Sequence, residues 1–536
     1  MSEKFANTVV LLRHYLRRDW LKIALWVIGL SIFCGSYITA ITDVSKGSAL
    51  IGLYETMKNP AMIALVGPLP VQHAVDYTVG GMYVSKMLMF CVIISMVISA
   101  IHVNSRTRKE EESGLAELIR SYRVGRYAST LAVMCETLLI NLCLVVLMTL
   151  FMMSFHNSHF SIEGIWLFAA SIGFAGMLGA TLTLFFAQFF QSASSSNAST
   201  MSFIGLLYAL RAYSDSSNID LSYINPFSWT YLTFPFTKNN WSLLIYGMIF
   251  IVVLFIVTLI LQGHRDLGTG YLPDRGGHSH AGFSLQSVTG LLWHLNKGNI
   301  LAWIAGTTFL GVIYGSIYGD MHKFITNNGL IGQLFVRNHV SIEATFTSTI
   351  IIVLMALVAV LPTLLVNKLF TEETRGHFDQ LFVSKVTRSR LFGTTIMLAV
   401  LTSLIGTLLT TGGLGLTAIW SIHKNFDLSL MDFIASGFNM FPFSILLIGI
   451  SSILIGWLPR INKLTYLYLI YAAMLSYFKD LLDLPDWLSN TSALNWFATM
   501  PVKDFDITPW LTILVIGIVF IIIGYFGYQR RDLKIG

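Results

Sequence analysis

Long runs without a charged residue limit most strongly what this chain can fold into. Each run is close to or longer than the roughly 20 apolar residues that cross a bilayer as a helix. Backbone groups in lipid must be hydrogen-bonded within the protein, and a helix achieves this by itself. The sequence therefore predicts an all-α polytopic membrane protein. The runs lie at 23–42, 87–105, 137–162, 164–210, 239–264, 298–319, 344–367, 391–423, 433–459 and 507–529.

We expect about twelve transmembrane helices. The run at 164–210 is too long for one span, and a polar segment at 191–200 divides it into a fourth and a fifth helix. A short uncharged run at 464–478 is interpreted as the eleventh helix, because its counterpart around 198–214 is equally short.

Composition agrees with a membrane location and indicates an orientation. Hydrophobic residues make up 54% of the chain and charged residues 12%, against roughly 25% charged in an average soluble domain. Most of the 34 Lys and Arg residues fall on one side if both termini are cytoplasmic, as the positive-inside rule requires. The net charge of +6 thus reflects membrane topology, and we expect no nucleic-acid partner. The predicted location is the cell membrane.

Three short motifs occur twice in the same order, which predicts two tandem copies of one six-helix unit. An even number of spans makes the copies parallel in topology. We expect a first repeat over 1–262, a cytoplasmic linker rich in Gly and His over 263–290 and a second repeat over 291–536. The motif pairs are LLRH at 11–14 with LLWH at 291–294, EESG at 111–114 with ETRG at 373–376, and RDLGTG at 265–270 with RDLKIG at 531–536.

The loop after the second helix of the first repeat, residues 105–126, has the pattern of a short amphipathic helix. Apolar residues recur at helical spacing, with acidic residues on the other side. An amphipathic loop can simply rest in the lipid headgroups. Carboxylates gain nothing from an anionic membrane surface, however, so a docked protein is the simpler explanation. The apolar positions are Leu115, Leu118 and Ile119, and the acidic ones are Glu111, Glu112 and Glu117.

The second repeat has an equivalent loop at 369–390. Its apolar positions are Phe378, Leu381 and Phe382. We expect Glu373 and Asp379 here, like Glu111 and Glu117 in the first copy, to contact a groove on a partner protein. Gly114 and Gly376 would permit the turn into each helix.

Here the sequence resembles the permease subunits of ABC exporters of the ABC-2 type, in particular the large two-repeat permeases of antibiotic or polyketide exporters. The resemblance rests on the acidic, glycine-containing loop after the second helix, the amphipathic lead-in at 3–20, the R-D-L ending of each half and the six-helix count. It implies a type V-like exporter fold, with an elbow helix, a coupling helix between the second and third spans, and re-entrant outer segments at 215–238 and 483–507.

The resemblance also implies partners. Two copies of a separate ATPase subunit would bind the two coupling helices and would hold ATP and Mg²⁺. This chain has no G-x-x-x-x-G-K-[ST] sequence, so it encodes no loop of that kind for binding phosphate. It is expected to need no cofactor of its own, to hold no metal, to contact membrane lipids, and to move a small hydrophobic or amphipathic compound.

Within the predicted spans, Glu136 is the clearest functional candidate, because a charged residue in the bilayer is costly. It lies about 15 Å past the inner boundary at Arg126 by helical rise, and Asn141 follows one turn later. Two roles remain open for Glu136: a place on the translocation path, or a structural hydrogen bond between helices. Arg211 lies near the outer boundary, where we expect its long side chain to reach the interface.

The main alternative is a proton-coupled secondary transporter of the major facilitator kind, which also has twelve spans in two parallel halves. Such a carrier would need a short basic loop after helix two, whereas this loop carries four glutamates. An intramembrane enzyme is disfavoured, because neither H-E-x-x-H nor a convincing G-x-S-x-G motif is present.

Overall fold

The computed structural model describes residues 3–44, 50–51, 54, 57–58, 60–272, 280, 282–316, 318–319, 342–383, 386–422, 428–478 and 485–532. Over these residues the chain consists of helices and turns, without a strand. Two compact units separate, Met1–Gly277 and His278–Gly536. The protein is an all-α polytopic membrane protein, as predicted.

Unit 1, Met1–Gly277, is built around one central helix. Its helices are α1 Thr8–Val44, α2 Pro60–Val66, α3 Val79–Arg106, α4 Arg108–Glu112, α5 Leu115–Ser121, α6 Ala128–Met153, α7 Ile162–Phe189, α8 Ala193–Ser217, α9 Ile219–Ser222 and α10 Ser242–His264.

Helix α7 packs against α3, α6 and α10, while α1 lies along α6. The hydroxyls of Ser171, Thr181 and Thr183 donate to carbonyls one turn earlier in α7. This local hydrogen bonding allows a polar residue to lie in an apolar interior.

Unit 2, His278–Gly536, has two closely packed helix pairs, α11 with α15 and α17 with α20. Helix α13 packs on α15 and α17. The helices are α11 Val288–Ser316, α12 Ile342–Val358, α13 Val360–Thr374, α14 His377–Val383, α15 Arg388–Ser421, α16 Leu430–Asn439, α17 Phe441–Trp457, α18 Leu464–Phe478, α19 Asp486–Ser489 and α20 Ile507–Arg530.

Ten helical segments of the described chain are long and apolar enough to cross a membrane, five in each unit. Helices α12 and α13 together make one such segment, and so do α16 and α17. The fifth and eleventh helices of the predicted count exist as α8 and α18. Helix α18 is shorter than a full span, and α8 begins with a run of polar residues. The total of twelve spans stays a prediction.

The first residues of the expected linker at 263–290 pack on unit 1. The backbone amides of Tyr271 and Leu272 donate to the carbonyls of Gln188 and Phe189 at 3.2 and 2.8 Å, so the residues up to 272 belong to unit 1. Residues 273–279 and 281 lie outside the described part. The tandem duplication and its boundaries stay predictions.

The described residues just before the last long helix of each unit form short helices and do not form a further span. In unit 1 these are α9 and a 3₁₀ turn at Ser228–Thr230. In unit 2 they are α19 and a 3₁₀ turn at Ala493–Trp496. Their re-entrant placement in a bilayer stays a prediction.

Candidate functional site

Two of the repeated motifs meet in unit 1. Glu111, in the segment after α3, lies against Arg265, the residue that follows α10. Nη1 and Nη2 of Arg265 donate to the two carboxylate oxygens of Glu111 at 2.9 and 2.7 Å. The paired geometry matches a planar guanidinium to a planar carboxylate and is stronger than a single hydrogen bond. Arg108 adds a second guanidinium to Glu111 and also donates to the carbonyl of Thr269 at 2.6 Å.

The corresponding motifs meet in unit 2. Arg531, which follows α20, donates from Nη1 to Oε1 of Glu373 at 2.5 Å, and from Nη2 to Oε2. The Glu373 side chain is 2% exposed and that of Arg531 is 13% exposed. We call these two ion pairs, Glu111–Arg265 and Glu373–Arg531, the Glu–Arg clasps. Each clasp joins the end of the second long helical segment of its unit, Val79–Glu112 or Glu343–Thr374, to the residue that follows the last helix.

A further arginine reinforces each clasp from the start of the next long helix. Nη2 of Arg126, just before α6, donates to the carbonyl of Arg265 at 2.8 Å. Nη1 of Arg388, the first residue of α15, donates to the carbonyl of Arg531 at 2.7 Å. Three segments distant in sequence are therefore held together at one end of each unit.

A glycine follows the clasp glutamate three residues later in both units. Gly114 and Gly376 adopt φ values of +75° and +70°, in the left-handed region that other residues enter at a cost. Their amides donate to the carbonyls of Glu111 and Glu373 at 3.1 and 2.9 Å. Among the described residues, apart from its two chain neighbours, a methyl group at Gly114 would meet no atom within 4 Å, so the backbone conformation is what requires glycine at this turn.

The other acidic residues of these loops have different places. Glu112 accepts a hydrogen bond from the amide of Ala193 at 2.8 Å and so caps the start of α8. Glu117 is exposed on α5. The backbone of Asp379 belongs to α14, while its side chain lies outside the described part of the structure.

The expectation that Glu111 and Glu373 turn outward toward a partner is therefore wrong in its geometry. Both carboxylates are largely buried, at 13% and 2% exposure, and both bind arginines of their own unit. The helical pattern placed them on the acidic face but gave no information on residues far away in sequence. The assignment of the two loops to ATPase coupling stays a prediction.

Glu136, on α6, is fully buried within unit 1. Its Oε2 lies 3.3 Å from Nε2 of His102 on α3. Within the described residues, neither carboxylate oxygen accepts a hydrogen bond of good geometry. A buried carboxyl group without a polar partner is costly, and His102 is the partner that faces it. This contact links α3 to α6.

Asn141, one turn beyond Glu136, is also buried. Its amide nitrogen donates to the carbonyl of Thr137 in its own helix at 2.9 Å. The side-chain oxygen faces Gly176 of α7, where a methyl group would come within 2.1 Å of it. Asn141 therefore packs between α6 and α7. Whether either residue lies on a translocation path stays a prediction.

Arg211 on α8 does not extend to an interface, contrary to expectation. It is fully buried, and its Nη2 donates to the carbonyls of Ala64 and Leu65 at 2.6 and 2.7 Å, at the end of α2. Nη1 lies 3.2 Å from Asp215, which also accepts from the Tyr231 hydroxyl at 2.7 Å. Burial and the nearby carboxylate raise the pKa of Tyr231 well above its usual value, so this hydroxyl remains a donor.

Sequence reasoning missed the partners in these ion pairs: Arg265, Arg531, His102 and Asp215. The repetition of both clasp motifs was an available signal for Arg265 and Arg531. For Asp215 the signal was its spacing of four residues from Arg211, which places the two on one helix face. Within the described residues no cluster of three His, Cys, Asp or Glu side chains could hold a metal ion.

Comparisons with known proteins bear on the kind of transporter. Residues 285–529 match the family model of the multidrug efflux system permease Rv1217c, C-terminal domain. Over 535 residues the chain is 26% identical to the multidrug efflux system permease protein Rv1217c of Mycobacterium tuberculosis, a match that covers 99% of this chain and 96% of that protein. Both likenesses support a multidrug efflux permease family.

The alignment with the mycobacterial efflux permease spans both units of the structure. The family match falls within unit 2 and includes Glu373 but ends before Arg531. Together with the ten apolar helical segments, these matches support a multi-pass membrane permease for drug efflux. They do not favour a carrier of the major facilitator kind.

Proposed function

We propose that this chain is the membrane-spanning permease subunit of an ATP-driven exporter that moves hydrophobic or amphipathic compounds out of the cell. A separate ATPase, present in two copies, binds ATP and Mg²⁺ and performs the hydrolysis. Both termini of the permease are cytoplasmic in this proposal, so both clasps lie on the side where the ATPase docks.

The Glu–Arg clasps are the observation that carries the proposal. A separate ATPase can move the spans only through contacts that stay rigid under load. In each unit the segment proposed to receive the ATPase is tied by a two-bond ion pair to the end of the last helix. A displacement of that segment therefore reaches the second, third and sixth spans of the proposed repeat together.

Two further observations support the proposals that the transported compound is a drug and that the ATPase is a separate protein. The similar mycobacterial protein is named as the permease of a multidrug efflux system, and a permease that belongs to a system has other components. This chain has no Walker A sequence, which would be needed for a P-loop ATPase site of its own.

Transport into inside-out vesicles tests the proposal. The permease is reconstituted with an ABC ATPase recovered by co-purification with it, and uptake of ethidium and rhodamine 6G is followed by fluorescence. We expect uptake that requires ATP and that stops when the Walker A lysine of the ATPase is replaced. The permease alone should neither hydrolyse ATP nor take up dye. Uptake driven by a proton gradient without ATP, and abolished by an uncoupler, would instead support the secondary carrier.

A further inference from the structure

A cavity of about 310 Å³ lies between α1, α3 and α6 of unit 1. Its volume is at the lower end of the range typical of small-molecule sites. Most of the wall is apolar and comes from a tryptophan and four isoleucines, and hydroxyl groups supply part of the remainder. The apolar residues are Trp26, Ile23, Ile98, Ile101 and Ile140, and the hydroxyl-bearing ones are Ser99, Ser105 and Thr137.

All the ionisable residues that line this cavity are basic. They are Lys22 from α1, and His102 and Arg106 from α3. The acidic residues stand behind them and do not line the cavity. Asp19 and Glu110 both pair with Arg106. Asp19 also lies 3.5 Å from the ammonium of Lys22, and Glu136 lies behind His102.

These bases retain donors for a further acceptor. The Nε atom of Arg106 is buried and has no hydrogen-bond partner among the described residues. The Arg106 guanidinium already faces Asp19 and Glu110, so the donor most open to a ligand is the ammonium of Lys22. The side chain of Lys22 is 79% exposed, so its ammonium can turn toward a ligand at the rim.

The corresponding place in unit 2 lacks this chemistry. There a cavity of about 30 Å³, with room for about one water molecule, lies among α11, α13, α14 and α15. Its lining includes an acidic residue, Glu372, and Leu398 from α15. Lys368, its basic residue, already donates to Asn296 at 2.9 Å. A ligand of the same kind would not fit there.

We propose that the cavity between α1, α3 and α6 binds an amphipathic anion. The acidic group lies against Arg106 and Lys22, and the apolar part packs on Trp26 and the isoleucines. Two sources share this chemistry: an anionic phospholipid and a soluble acidic amphiphile. Binding at this site is independent of the energy source of transport.

Native mass spectrometry of the full-length chain in a neutral detergent tests the site. The lipid probes are phosphatidylglycerol and phosphatidylcholine with identical acyl chains. The soluble probes are 8-anilinonaphthalene-1-sulfonate and N-phenyl-1-naphthylamine, which share their aromatic rings and differ in the sulfonate. If 8-anilinonaphthalene-1-sulfonate displaces the retained phosphatidylglycerol and N-phenyl-1-naphthylamine does not, the site also takes soluble acidic amphiphiles. If neither compound displaces it, the site is specific for the lipid. Each of these results supports the anion site.

We expect the chain to retain one phosphatidylglycerol about tenfold more strongly than phosphatidylcholine, as a charge-assisted contact allows. Lys22→Gln removes a mostly exposed charge, and Ile98→Trp fills the cavity while leaving every charge in place. Each should weaken retention by about tenfold. Lys297→Gln, which removes an exposed lysine from α11 outside the described cavities, is the matched control and should change nothing.

Equal retention of the two lipids would overturn the proposal, and so would unchanged retention by the folded Lys22→Gln variant. A loss as large in Lys297→Gln would show nonspecific attraction and would also overturn it. Melting temperatures identify any variant that fails to fold. If Ile98→Trp fails to fold, Lys22→Gln still decides the test, because a change at an exposed position leaves the packing intact. Because retention is measured without the ATPase, failure here leaves the proposed export activity untouched.

Discussion

Glu372 and Glu373 are neighbours in sequence, yet they lie in very different surroundings. Glu373 is buried against Arg531, whereas Glu372, 18% exposed, lies 2.6 Å from Nδ1 of His377, whose side chain is 60% exposed. A contact with a solvent-exposed partner contributes little to stability. Removing one partner of a buried pair leaves an uncompensated charge and is strongly destabilising. The two glutamates therefore offer a matched test of the clasp.

We expect Glu373→Gln to destabilise unit 2 by about 3 kcal/mol, the order found for a broken buried pair, because Arg531 keeps its charge without a carboxylate. Glu372→Gln, the control, should cost below about 1 kcal/mol. The double variant Glu373→Gln/Arg531→Gln should lose less stability than Glu373→Gln and Arg531→Gln lose in sum, because the double variant contains no unpaired charge. Thermal unfolding of the purified permease measures the stability of all four variants. Additive losses would contradict a direct pair.

Glu136 allows a second prediction at the residue scale. Glu136→Gln keeps the shape of the side chain and replaces the carboxyl group that faces His102 by an amide. Because the amide is still a polar partner for His102, we expect the variant to insert and to melt near the wild-type temperature. If Glu136 lies on the translocation path, ATP-dependent uptake of ethidium should change several-fold. Asn141→Leu is the packing control and should instead lower the melting temperature. Loss of expression in Glu136→Gln would favour the structural role.

At the scale of the element, helix α5 presents the surface that the clasp leaves exposed. Glu111 and Glu112 are engaged within unit 1, whereas Glu117 and Leu118 are exposed. An acidic and an apolar residue side by side on a short helix suit a basic groove with an apolar floor. Glu117 is therefore the residue with which to test docking.

Glu117→Lys should weaken binding of the ATPase by about tenfold, as expected for the loss of one charge-assisted contact. Glu3→Lys makes the same change in charge at another exposed position of unit 1 and should bind as wild type. Surface plasmon resonance with the permease in nanodiscs provides the affinities. If both variants bound equally well, α5 would be an ordinary surface helix.

Sequence patterns predicted the elements better than their contacts. Uncharged runs gave the long helices, because the cost of burying charge in lipid acts on each residue locally. The same runs left α8 and α18 uncertain, since a polar or short helix can be held by its neighbours. The clasp could not be derived from local periodicity, because Arg265 lies 154 positions from Glu111. Arg211 was misplaced for the same reason, since its burial depends on carbonyls of α2.

At the scale of the whole molecule, the two units carry the same clasp but differ in their interiors. Glu136 lies against His102 in the interior of unit 1, whereas the small cavity of unit 2 is lined by leucines together with Lys368 and Glu372. The shared clasps suit two similar partners, and the different interiors allow the two units to bind different ligands. A single chain can thus combine symmetric docking with asymmetric binding.

This arrangement predicts one permease chain with two ATPase copies. In each unit the clasp glutamate is followed by a glycine with positive φ, Gly114 or Gly376, so one chain already offers two docking segments. Native mass spectrometry of the complex purified with ATP analogue should give the mass of one 59.8 kDa permease plus two ATPase subunits. Glu117→Lys should lower occupancy at unit 1 and give a population with one ATPase. A complex that requires two permease chains would contradict this prediction, because it would contain four docking segments, twice the number that two ATPase copies need.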